Sequence, residues 1–83
     1  MKYEEFVCCM QMKMQEKLGE EVRAELQQVT KNNDIVLDGL SFYNKKNHIA
    51  PTIYLNELYR EYEEGKTIPQ IVEYVLELYR QTM

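Results

Sequence analysis

Val22-Arg23-Ala24-Glu25-Leu26-Gln27-Gln28-Val29-Thr30, followed by Ile35-Val36-Leu37-Asp38-Gly39-Leu40-Ser41-Phe42-Tyr43, is the stretch on which the fold turns. Val22, Ala24 and Leu26 alternate with Arg23, Glu25 and Gln27, a period of two that puts the apolar residues on one face of a half-buried strand. The apolar phase then slips to Val29, which predicts a bulge or the strand's exposed end. Asn32-Asn33-Asp34 is a turn cluster whose residues tolerate left-handed backbone. A second strand follows from Ile35 to Tyr43 and carries Leu37, Leu40 and Phe42. Asp38-Gly39 interrupts its alternation, so a bulge or a tight bend is expected there. The two runs predict an antiparallel hairpin.

On the N-terminal side, Tyr3, Phe6, Val7, Met10, Met14 and Leu18 fall at helical spacing and predict a helix over Lys2 to Leu18. Glu4 and Glu5 at its start and Lys13 and Lys17 near its end complement the helix dipole, and Gly19 is the natural stop. On the C-terminal side, Asn44-Lys45-Lys46-Asn47-His48 reads as a polar, basic loop. Ile49, Pro51, Ile53 and Leu55 then share one face of a short strand over Ile49 to Leu55. Pro51 cannot donate to a ladder, so this strand is expected at an edge or with its proline at a bulge.

From Asn56 the period returns to that of a helix, with Leu55, Leu58, Tyr59 and Tyr62 on one stripe and Gly65 ending it. Thr67 and Gln70 form a capping box, and Pro69 sits in the first turn, where its missing N–H costs nothing. Ile68, Ile71, Val72, Val75, Leu76 and Tyr79 make the cleanest apolar stripe in the chain. The order α-β-β-β-α-α predicts a single α+β domain over residues 1–83, with the helices covering one sheet face.

The chain has 83 residues, 45% hydrophobic and 29% charged, the balance of a globular protein. Its formal net charge of −4 disfavours nucleic acid as a direct partner, because phosphate binding needs a basic face. No apolar run approaches the roughly 20 residues a membrane helix needs, and no signal-peptide pattern is present. Cys8 and Cys9 are adjacent, so a bridge between them would close no loop. Reduced thiols and a cytoplasmic location are expected.

Leu37-Asp38-Gly39-Leu40, Ala50-Pro51-Thr52-Ile53-Tyr54-Leu55-Asn56 and Tyr59 through Tyr62-Glu63-Glu64-Gly65 together make a recognisable pattern. It resembles an uncharacterised bacterial family known only as a domain of unknown function, over most of the chain. The Pro-Thr-Ile-Tyr-Leu-Asn run is its most specific part. Members of that family are mostly several hundred residues long and open with a segment of this kind, and this chain stops where they continue. The resemblance implies a bacterial or phage origin and an independently folding module. It assigns no catalytic residue.

The residues themselves point the same way. His48 is the single histidine; a catalytic reading would pair it with Ser41 or Asp38, but no third group or oxyanion loop is indicated, and beside Lys45 and Lys46 it reads as solvated. Cys8, Cys9 and His48 do not supply a zinc ligand set, and no cofactor motif is present. Asp38-Gly39 could hold a ligand, but turn or bulge geometry accounts for it. Met10 and Met14 fit the core stripe and Met12 lies off it.

Seven tyrosines are the chain's oddity, five of them between Tyr54 and Tyr79. Tyr74 and Leu78 lie four apart and off the main stripe of the last helix, among carboxylates that include Glu73 and Glu77. A solvated acidic face explains this pattern; so does a contact surface, since tyrosine is enriched at binding hot spots and carboxylates complement a basic partner. The expected protein-binding residues are therefore Tyr74, Leu78, Glu73 and Glu77. Tyr74 and Leu78 could also join a twofold mate as a homodimer. The sequence is read as a non-enzymatic protein-interaction module. The alternative is a small acidic inhibitor, phage-encoded, that occupies the basic groove of a nucleic-acid-handling enzyme in the manner of an anti-CRISPR or anti-restriction protein.

Overall fold

The structure, a computed structural model, describes residues 1–31, 34–46 and 52–82. Helix α1 (Tyr3–Leu18) leads into strands β1 (Val22–Lys31), β2 (Asp34–Asn44) and β3 (Thr52–Tyr54), then helices α2 (Leu55–Glu63) and α3 (Ile68–Thr82). The three strands form one antiparallel sheet in the order β1-β2-β3. The fold is α+β, with the helices packed on one face of the sheet.

The local signals act as their chemistry requires. Lys2 caps α1 but offers no acceptor side chain, so the Glu5 carboxylate receives the Lys2 N–H at 3.0 Å instead. Gly19 ends α1 with φ of 76°, a conformation that disfavours a Cβ. At the start of α3 the Thr67 hydroxyl accepts the Gln70 N–H at 3.3 Å, and the Gln70 amide accepts the Thr67 N–H at 2.9 Å. This is the reciprocal capping box expected from sequence.

The β1–β2 ladder runs from Val22↔Asn44 to Val29↔Leu37 and shifts register between Val29 and Thr30, where the apolar phase slips in the sequence. Facing residues share a side of the sheet. Val22, Ala24, Leu40 and Phe42 therefore point together toward the helices. Phe6, Met10 and Met14 of α1, Leu55 and Leu58 of α2, and Ile71, Val72, Val75, Leu76 and Tyr79 of α3 close over them. Met12 is exposed, as its place off the stripe requires.

Three expectations change. Asp38-Gly39 carries no bulge: Gly39 pairs in register with both Gln27 and Tyr54. The glycine is needed for a different reason, since a Cβ there would lie 2.8 Å from Thr52 Cγ2 of the neighbouring strand. Among the described residues the third strand is Thr52–Tyr54 and does not extend to Leu55, which already belongs to α2 and turns into the core. Leu26, expected inside, is 38% exposed. Helix α1 runs obliquely, with Tyr3 reaching Asp38 on β2 and Gln15 reaching the outer edge of β1, so its first turns leave Leu26 uncovered. Finally, the Asn32-Asn33 turn and His48, Ile49 and Pro51 lie outside the described residues.

Strand β1 is an edge strand, and α1 closes half of that edge with two side chains. Gln15 accepts the Ala24 N–H at 2.9 Å and donates to the carbonyls of Val22 and Gly19, each at 2.8 Å. Gln11 donates to the Ala24 carbonyl at 3.1 Å. Two glutamine amides thus stand in for a neighbouring strand.

Two expectations follow for stability. Val75 is 0% exposed, so Val75→Asp places an unpaired charge in the core and abolishes the cooperative thermal transition, whereas Glu73→Ala on the exposed face shifts stability by no more than about 0.5 kcal/mol. Gln15→Ala strands the Ala24 N–H and lowers stability by about 1–3 kcal/mol in urea unfolding.

Candidate interaction surface

Helix geometry separates the four residues expected to bind a partner. Tyr74 and Leu78, one turn apart, share a stripe of α3 and line a groove against β3 and α2. Ile53, Leu58 and Leu78 provide its apolar lining. Tyr54 and Tyr74, 43% and 51% exposed, also line it, with Glu57, Arg60 and Glu61 as its charged members. Glu73 lies about 100° round the helix from Tyr74 and lines a different groove, with Cys9, Lys13 and Lys17 of α1. Glu77 sits 3.7 Å from Arg80, both well exposed. The structure therefore joins Tyr74 and Leu78 to Tyr54 and Ile53, and sets Glu73 apart from them.

Tyr54 and Ile53 escaped the sequence reading because their partnership with α3 is long-range. The one available signal was an aromatic residue at an exposed position of a short strand. Lys66 lies 3.2 Å from Glu61, and its ammonium is 6.0 Å from the centre of the Tyr74 ring. These exposed contacts orient Tyr74 without contributing much energy.

A second cluster forms where separated segments meet. Asp38 of β2 accepts a hydrogen bond from the Tyr3 hydroxyl. Its backbone N–H donates to the Asn56 side-chain carbonyl at 2.9 Å. Tyr59 donates to the Met1 carbonyl at 3.0 Å and packs edge-on against Tyr3 with ring centres 5.1 Å apart. The Leu-Asp-Gly-Leu and Pro-Thr-Ile-Tyr-Leu-Asn segments thus converge through Asp38, Gly39, Thr52 and Asn56. Their roles here are structural: Gly39 admits Thr52, and Asn56 ties the start of α2 to β2.

Burial first, and then the Asp38 carboxylate, hold the Tyr3 hydroxyl protonated well above the ordinary tyrosine range. Cys8 is exposed and Cys9 half-buried, both as free thiols. Among the described residues, no group of three or more His, Cys, Asp and Glu side chains is placed to hold a metal ion, and no helix is long and apolar enough to cross a membrane.

Residues 3–83 match the family of unknown function DUF5688. The chain belongs to that family. No curated protein and no solved structure matches it. Membership in DUF5688 brings no activity and no catalytic residue with it, so the geometry of this chain has to carry any functional reading.

The Tyr3–Asp38 bond gives a pH signature. The folded state raises the Tyr3 pKa above its unfolded value of about 10, so its contribution is complete below that pH and fades as pH rises toward the folded value. Tyr3→Phe is expected to cost about 1–3 kcal/mol at neutral pH. The gap to the wild type should narrow above about pH 10 in urea titrations. A gap that stays constant through the alkaline range would contradict the bond.

Proposed function

We propose that this domain is a non-enzymatic protein-interaction module that engages its partner through the Tyr54–Tyr74 groove. The observation that carries this reading is the juxtaposition of two half-exposed tyrosines from different elements over an apolar lining of Ile53, Leu58 and Leu78. Tyrosine offers a large contact area, a polar tip and few torsions to freeze, which is why it recurs at binding hot spots. The mixed rim of Glu57, Glu61 and Arg60 suits a partner that presents an apolar anchor ringed by polar groups.

The alternative, an acidic inhibitor of a nucleic-acid-handling enzyme, would use the exposed carboxylates of Glu73 and Glu77 rather than the tyrosines. The two readings differ in which residues matter and in how salt acts. The test is affinity capture from the host, followed by binding kinetics of the captured partner with three variants. Tyr74→Ala with Leu78→Ala, and Tyr54→Ala separately, should each weaken binding by about tenfold or more through faster dissociation, with melting temperatures near the wild type. Glu73→Lys with Glu77→Lys should change little. If instead the charge reversal abolishes binding, and the on-rate of the wild type collapses with salt, the inhibitor reading replaces this one. A partner whose affinity none of these changes alters would remove the groove from consideration.

A further inference from the structure

The glutamine clamp on β1 stops at Ala24, and the strand does not. In an antiparallel ladder, residues facing one another alternate between exchanging hydrogen bonds and turning their backbone groups away. Ala24 turns its N–H and C=O outward to Gln15 and Gln11. Leu26 and Gln28, two and four residues further along an unshifted register, therefore turn theirs outward as well. No described residue bonds to them. The register shift after Val29 then ends the regular edge. What remains open is a short, directional row of donors and acceptors.

Directly above this row lies a groove between the first turns of α1 and the helix-facing side of β1. Tyr3, Val7, Cys8 and Leu26 give it an apolar lining, and Glu4 and Asp38 give it two carboxylates with no cation among the described lining residues. The groove exists because α1 crosses the sheet obliquely, and the exposure of Leu26 is its consequence. Protein sheets ordinarily protect such edges with lysine, proline or a covering element. Here the covering element protects one half only.

We propose that the open edge of β1 at Leu26 and Gln28 accepts an extended segment of a partner protein as an added strand, with an apolar side chain seated against Tyr3, Val7 and Leu26 and a lysine or arginine facing Glu4 and Asp38. Backbone pairing supplies affinity, and the groove reads alternate side chains of the segment, the general logic of strand addition. The charge of the groove selects the occupant. A second copy of the chain, itself at net −4, would bring another Glu4 and Asp38 to the same interface, whereas a basic segment complements them. This surface is distinct from the Tyr54–Tyr74 groove, so either can fail without the other.

The experiment is selection of random dodecapeptides displayed on phage against the full chain. Enriched peptides are synthesised and followed by hydrogen exchange and binding titration. The expected peptides alternate apolar residues, carry a lysine or arginine, and slow exchange of the Leu26 and Gln28 amides by at least about tenfold. Leu26→Lys and Glu4→Lys should each weaken them about tenfold while leaving the melting temperature within a few degrees, because both residues are exposed. A peptide with glutamate in place of its basic residue should regain affinity for Glu4→Lys, which a merely destabilised variant could not do. Failure to enrich such peptides overturns the proposal. So does protection centred on Thr52, Tyr54 or α3, or a dimer of the free protein that protects Leu26 and Gln28 without any peptide.

Discussion

A three-stranded sheet has two edges and too little width to hide either, and the way α1 meets the first of them sets the geometry of the rest. The Gln15 amide bonds to Gly19, Val22 and Ala24 at once, and Gln11 completes the seal at Ala24. These bonds fix the end of α1 against the start of β1. With that end pinned at the sheet edge and Tyr3 tied to Asp38 on β2, the helix can only cross the sheet obliquely. Phe6, Met10 and Met14 are then laid over Phe42 and Leu40, and the side chains of α2 and α3 fill the remaining space. A buried backbone donor without a partner costs about as much as a lost core methylene or more. A glutamine pair at this position therefore helps to fix where α1 lies on the sheet.

Much of this was legible from sequence, because periodicity reports which face is buried. Val75, Ile71, Val72 and Leu76 repeat at helical spacing and are all buried; Thr67 and Gln70 cap as a box; the phase slip at Val29 marks a real change of register. These signals are local, and local sequence suffices for them. The exceptions are equally instructive. Leu26 obeys the alternation of its strand but is half uncovered, since the tilt of a helix decided by Gln15 and Tyr3 is invisible to a pattern of period two. Gly39 looked like a bulge because the sequence shows the missing side chain and not the Thr52 methyl that excludes it.

The surface expected to bind was legible only in part, for the same reason. Tyr74 and Leu78 stood out as an off-stripe pair, and they do line a groove. Glu73 and Glu77 share a stripe of their own, about 100° round α3 from Tyr74 and Leu78; Glu73 lines a groove with Lys13 and Lys17 of α1, and Glu77 pairs with Arg80. Tyr54 and Ile53 join the groove from a strand 20 residues or more upstream, and no local pattern could have supplied them.

The two edges of the sheet bring these threads together. At β1, one half is sealed by glutamine amides and the other opens onto an apolar groove rimmed by acid; at β3, a strand of three residues runs beside a groove lined by two tyrosines. A chain of 83 residues has little apolar material beyond its core, so exposed apolar residues beside a sheet edge carry more meaning here than they would on a large protein. Leu26, Tyr54 and Tyr74 all lie there. The widening of the sheet by even one added strand would cover Leu26, and the occupation of the second groove would cover both tyrosines. Leu26, Tyr54 and Tyr74 thus leave apolar surface where an incoming polypeptide could use it, which is the physical basis for reading the domain as a binding module.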